Sequence, residues 1–266
     1  MKRVLFQLLV TSLHRRPNES GLYQTELEIR LEKKKNTMRH FILACATAAG
    51  LLASATGAYA AETAPAAKPD AAKGGQLYDQ GDAVRGVIAC ASCHGAAGNS
   101  TIPANPRLSG QPHEYLAKQL ADFKVKEGEK TPARSGAGGN PTIMTANVGP
   151  LTPEDMQNIA LYLAQQPVKD PATAGYKNLV EHGQTIWRAG IADRGVPACA
   201  ACHSANGAGL PGQYPRLSGQ FPAYIEEQLK LFRSGDRANS IPMHAIADRM
   251  SDADIKAVSD YAAGLR

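Results

Sequence analysis

A C-x-x-C-H pattern occurs twice in this chain, 109 positions apart, as Cys90-Ala91-Ser92-Cys93-His94 and Cys199-Ala200-Ala201-Cys202-His203. The same shift superposes the surroundings: Pro106-Arg107-Leu108-Ser109-Gly110-Gln111 recurs unchanged as Pro215-Arg216-Leu217-Ser218-Gly219-Gln220. Tyr115, Gln119, Leu120 and Phe123 recur as Tyr224, Gln228, Leu229 and Phe232, and Gly81, Arg85, Gly86 and Val87 as Gly190, Arg194, Gly195 and Val196. Two copies of one unit account for this most simply. The 266 residues therefore divide into small domains rather than one large core. Residues 73–166 form the first unit and 173–266 the second; 167–172, with Pro167 and Pro171, reads as the linker and 61–72 as a flexible lead-in.

The motif's spacing points to a specific chemistry. On one helical turn residues i and i+3 share a face, so two thiols reach the two vinyl groups of a single porphyrin. The histidine at i+4 follows beneath the ring, where its imidazole can ligate iron. Cys90, Cys93, Cys199 and Cys202 are thus candidate heme thioethers, with His94 and His203 as axial ligands and two covalent heme c groups as the cofactors. Convergence of the two cysteine pairs on one zinc ion, or a pair of vicinal redox disulfides, also uses these cysteines. Neither explains why a histidine follows immediately both times.

Each copy reads as helical, with little strand pattern. In the first, residues 75–83 approach the motif, 114–125 carry an apolar stripe, and 153–165 close the unit behind an N-cap Thr152, Pro153 and acids in the first turn. The matching helix of the second copy opens at Ser251. The expected fold is all-α: two tandem domains of about three main helices each, around a covalently bound heme. Aligning the capped helices changes the offset to 99 and pairs Met144 with Met243, the only Met to Met match. Both sit eight residues before the caps in irregular sequence, which makes them the candidate second axial ligands. Met156 and Met250 face apolar counterparts and read as core fillers. His113, His182 and His244 lack histidine counterparts and read as solvated or peripheral. The change of offset leaves ten extra residues within Lys124 to Asn140 of the first copy, whose Gly-rich stretch reads as a flexible surface loop.

Residues 1–60 carry nine Lys/Arg and four Glu, a surplus equal to the whole formal charge of +5. Everything from Ala61 onward balances at 20 basic and 20 acidic residues, so nucleic acid is not an expected partner. Met38-Arg39-His40, the apolar run Phe41 to Ala55 and the small residues Ala58 and Ala60 form the pattern of a cleaved secretory signal, residues 38–60. Residues 1–37 read as a non-native extension from a misassigned start. An exported destination, the periplasm, follows.

With the signal, the doubled C-x-x-C-H, the P-R-L-S-G-Q segment after each and a methionine before each C-terminal helix, the chain resembles the diheme cytochrome c4 family. That resemblance implies tandem class I cytochrome c domains whose hemes approach across the domain interface. It also implies a periplasmic electron carrier, not an enzyme, with a quinol-oxidising complex or dehydrogenase as donor and a terminal oxidase as acceptor. Transient association with membrane complexes goes with such partners. By the same resemblance Arg107, Arg216, Tyr115 and Tyr224 lie near the heme propionates. A heme subunit docked to a catalytic dehydrogenase, flavocytochrome-like, and a diheme peroxidase are the competing readings; the latter needs a displaceable axial ligand, against which two equivalent methionines argue. The leader makes a direct prediction. N-terminal sequencing of the mature protein finds Ala61 or Glu62, and a peptide from upstream of Met38 in the precursor contradicts the assigned start.

Overall fold

The computed structural model describes residues 68–266. The expected extension, the signal and the first part of the lead-in fall in residues 1–67 and lie outside the described residues. The described chain is all-helical, with four isolated antiparallel bridges and no extended sheet. The first half contains α1 (Ala71–Gln80), α2 (Ala91–His94), α3 (His113–Asp122), α4 (Ile143–Val148) and α5 (Pro153–Ala164). The second repeats the order with α6 (Val180–Ala189), α7 (Ala200–His203), α8 (Pro222–Ser234), α9 (Ile241–Ala247) and α10 (Asp252–Ala263). None of these helices is long and apolar enough to cross a membrane.

The chain builds two separate hydrophobic cores. One gathers Leu77, Tyr78, Leu116, Phe123, Met156, Ile159 and Leu163; the other Ile186, Trp187, Ile225, Leu229, Phe232, Met250 and Ile255. In each, the first helix packs against the last, and a glycine sits at the crossing. A Cβ placed on Gly74 would meet the Asn158 carbonyl oxygen at 2.0 Å, and one on Gly183 would meet the Ala257 carbonyl oxygen at 2.4 Å. The two backbones touch, so only glycine fits. This contact sets Tyr78 and Trp187, each under 2% exposed, into the centres of their cores. Their polar ends are bonded: Tyr78 Oη donates to the Gly95 carbonyl (2.8 Å) and Trp187 Nε1 to the Ala205 carbonyl (3.1 Å).

The closing helices start where their caps place them. Thr152 Oγ1 accepts the Asp155 N–H (3.1 Å) while Asp155 Oδ2 accepts the Thr152 N–H (2.8 Å), and Ser251 with Asp254 repeats the box. The other helices differ from expectation. The first runs Ala71–Gln80 rather than 75–83, because Asp70 caps it and Gly81, at φ +70°, ends it. Its counterpart to the apolar stripe at 114–125 stops at Asp122. The irregular segments before the closing helices are the short helices α4 and α9, which with the one-turn motif helices add to the three main helices expected in each half. Six and seven residues, with Pro242 in the first turn of α9, are too short for an apolar period to register.

The segment 124–140 also departs from a simple surface loop. Arg134 and Ser135 are buried at 7% and 3% exposure, and Arg134 bridges Arg237 of the second half through its backbone. The linker is likewise strapped down: Asn99 Nδ2 donates to the Pro167 carbonyl, Asn99 Oδ1 accepts the Lys169 N–H, and the Ala172 N–H donates to the Gly219 carbonyl.

An exposed helix glycine normally gains about 1 kcal/mol on replacement by alanine. At Gly74 and Gly183 the sign reverses: Gly74→Ala and Gly183→Ala each lower stability by about 2 kcal/mol or more, measured by denaturant unfolding of the holoprotein. An unchanged or raised midpoint contradicts the crossing.

Candidate heme-binding sites

Each core opens onto a cavity, and each cavity collects one copy of the predicted set. The first is lined by Cys90, Cys93, His94 and Met144, the second by Cys199, Cys202, His203 and Met243. Their volumes are about 270 Å3 and 230 Å3. A single water needs only about 10–15 Å3 on this measure, so each cavity is far larger than a packing void. Tyr78, Ile159 and Leu163 wall the first, Trp187, Val258 and Ala262 the second. The glycine-paired helices thereby supply the apolar surface.

The motif helices present their residues as the spacing requires. Each is a single turn, with Cys90 and Cys199 at the N-caps and His94 and His203 as final residues. Both histidines are 6% exposed. His94 Nδ1 donates to the Pro106 carbonyl at 3.0 Å and His203 Nδ1 to the Pro215 carbonyl at 3.1 Å. Burial pushes both imidazoles down from their ordinary value, against the smaller upward pull of those carbonyls. A neutral ring with Nδ1 committed leaves Nε2 as its donor to a metal. The recurring P-R-L-S-G-Q segment thus begins with a residue whose carbonyl sets the histidine tautomer. Cys90 and Cys199 are pushed up to about 11 by burial, so their thiols are protonated at neutral pH. Among the described residues the four motif cysteines form no disulfide with one another.

Met144 and Met243 lie in the first turns of α4 and α9, not in loops, and pack half-buried against the first and second cores. Met156 and Met250, both 4% exposed, belong to those cores. The other histidines among the described residues stay outside the cavities: His113 bonds the Gln157 carbonyl, His182 pairs with Asp254 at 2.9 Å, and His244 bonds the Phe232 carbonyl.

Arg107 lines the first cavity and Arg216 the second. The Arg107 guanidinium lies over the Phe221 ring and donates Nη1 to the Lys169 carbonyl at 2.7 Å, while its buried Nε has no partner. An unsatisfied buried donor beside a cavity fits an anionic ligand group. Tyr115 and Tyr224 line both cavities, as do Gln111, Gln119, Gln220 and Gln228. These six are three repeat-related pairs, so the cavities share one wall built with approximate two-fold symmetry.

That wall is stitched by reciprocal bonds. Gln220 Oε1 accepts the Arg107 N–H and its Nε2 donates to the Arg107 carbonyl, while Gln111 does the same for Arg216, at 2.8–3.0 Å throughout. Sequence reading missed the second ring of the seam, Arg134 and Arg237. Phe123 to Arg134 spans eleven positions against five from Phe232 to Arg237, and Arg134 to Met144 ten against six from Arg237 to Met243. The insertion is therefore two insertions around a matched arginine, a signal that a register check on charged residues would have caught.

The cytochrome c family profile matches residues 71–167 and again 180–265. Cytochrome c4 of Azotobacter vinelandii is 40% identical over 198 residues, covering 72% of this chain and 92% of the relative. The chain belongs to the cytochrome c4 family. The thiosulfate dehydrogenase electron acceptor of Stutzerimonas stutzeri strain A1501 is 37% identical over 199 residues, covering 73% of this chain and 87% of that protein. The crystal structure of reduced recombinant cytochrome c4 from Pseudomonas stutzeri superposes with a TM-score of 0.62 at 34% identity, over 74% of this chain and all of that one. Membership in the cytochrome c4 family makes this an electron-transfer protein of two tandem cytochrome c domains, not an enzyme.

Proposed function

We propose that the mature chain is an exported diheme carrier with one His/Met heme c in each of two domains, residues 73–166 and 173–266, joined by 167–172. The observation that carries this is the grouping of a cysteine pair, a tautomer-locked histidine and a methionine around each cavity. Heme iron held by these residues would supply a one-electron ferric/ferrous couple. Cys90 and Cys93, with Cys199 and Cys202, hold the porphyrins by thioether bonds. His94 and His203 donate Nε2, and the Pro106 and Pro215 carbonyls fix the rings. Met144 and Met243 would be the second protein ligands to the two irons, and thioether sulfur there would raise the potential and shut out substrates. The apolar walls exclude water and favour the less charged reduced state. Arg107, Arg216, Tyr115 and Tyr224 face the propionates.

The periplasm is the compartment that the leader indicates, with the signal removed after Ala60. Donors are a quinol-oxidising complex or a dehydrogenase, and the acceptor is a terminal oxidase, reached by transient association. The 37% identity to a thiosulfate dehydrogenase electron acceptor supports a dehydrogenase as donor, and with it the second reading, a heme subunit that stays docked to such an enzyme. Co-purification separates the two.

Replacing Met144 or Met243 by alanine lowers one of the two midpoint potentials, on the order of 0.1 V or more, and opens that iron to carbon monoxide. An unchanged potential and an unchanged optical spectrum under carbon monoxide refute the assigned ligand.

A further inference from the structure

The wall that the two cavities share carries one repeat-related pair that does not match. Lys118 lies on α3 between Tyr115 and Gln119, and Glu227 lies on α8 between Tyr224 and Gln228, the same register 109 positions on. Residues at i, i+3 and i+4 of a helix share a face, so each stands with its tyrosine and glutamine toward the cavities. Lys118, from the first half, lines the second cavity, and Glu227, from the second half, lines the first. Glu227 is the one carboxylate among the described residues that line either cavity.

The remaining charges of the two linings cancel in the comparison, because Arg107 and Arg134 at the first cavity are matched by Arg216 and Arg237 at the second. What is left is a cation against an anion. Lys118 Nζ donates to the Asn239 carbonyl at 3.2 Å and pairs with Asp122 one turn on, whose carboxylate offsets part of the charge without lining either cavity. Glu227 is exposed, and Lys230, one turn on from it, pairs with Glu226 at 2.6 Å instead. The anion at the first cavity is therefore the less compensated of the two charges.

We propose that Lys118 and Glu227 make the two domains unequal as electron sites, each acting on the heme of the other domain. This rests on the diheme reading above and adds to it the side chains that set where an electron resides. Reduction removes one unit of positive charge at iron, so an anion at the rim favours the ferric state and a cation disfavours it. Glu227 thereby lowers the potential in the first domain, and Lys118 raises it in the second. A single electron on the protein rests in the second domain. In passing there it leaves the first iron ferric and the second ferrous, and no proton moves. Because both side chains reach solvent, the effect is modest and weakens with salt.

The test uses the full-length holoprotein with Glu227→Gln, Glu227→Lys and the charge-keeping Glu227→Asp. A pyridine hemochrome assay first counts covalent heme; fewer than two per wild-type chain contradicts the diheme reading itself, whatever the charges do. With both hemes present, an optical potentiometric titration at low salt resolves two steps, and Met144→Ala marks the first domain's step by displacing it. Glu227→Lys raises the ferrous-to-ferric ratio of the first domain's heme at fixed potential about threefold. Glu227→Gln raises it less, Glu227→Asp leaves it near wild type, and the second step stays in place. Lys118→Gln lowers the second domain's ratio and leaves the first, and high salt narrows all these differences. A first-domain step that does not move in Glu227→Lys, or two steps that move together by the same factor, overturns the proposal. So does a shift that survives high salt, the mark of a rearranged wall rather than of a charge.

Discussion

The backbone contact between the first and last helix of each domain is what the rest of the structure hangs on. Gly74 against the Asn158 carbonyl and Gly183 against the Ala257 carbonyl let two helices approach without side chains between them. The approach aims Tyr78, Ile159 and Leu163 in one half, and Trp187, Val258 and Ala262 in the other, at a cavity rather than at solvent. Given those walls, a one-turn helix suffices to present two thiols and a histidine, because the apolar surface opposite is already set. The capping boxes at Thr152 and Ser251 fix where the closing helices begin, and so where Met144 and Met243, just upstream, stand relative to the cavities.

The duplication gives the seam its character. Three repeat-related pairs, Gln111 with Gln220, Tyr115 with Tyr224 and Gln119 with Gln228, form a wall common to both cavities. The glutamines exchange paired bonds with the opposite half's backbone, each worth roughly 0.5–1.5 kcal/mol net. Polar groups buried in this way specify one arrangement of the two halves rather than simply adding stability. The linker, bonded to Asn99, Arg107 and Gly219, agrees with that arrangement.

Much of this was legible in the amino-acid order because the chemistry is local. C-x-x-C-H needs only one helical turn, and a Thr-Pro-Glu-Asp start reports its own helix, so the motif, the caps and the paired methionines are readable without tertiary knowledge. The short helices carrying Met144 and Met243 were not, since six or seven residues leave no period to detect. Gly74 and Gly183 repeat at the same spacing as the motifs, yet a helix-interior glycine announces a close approach only once the partner helix is placed. Arg134 was hidden for a different reason: insertions on both sides moved it out of register with Arg237, and a Gly-rich neighbourhood disguised a buried charge as surface loop.

The central claim, two six-coordinate hemes that exchange electrons without binding substrate, is tested most directly by an optical redox titration of the purified protein with carbon monoxide added to the reduced form. The account predicts two one-electron steps from low-spin hemes at high potential and no spectral change with carbon monoxide. A high-spin component, or a carbon monoxide adduct at either iron, would contradict it.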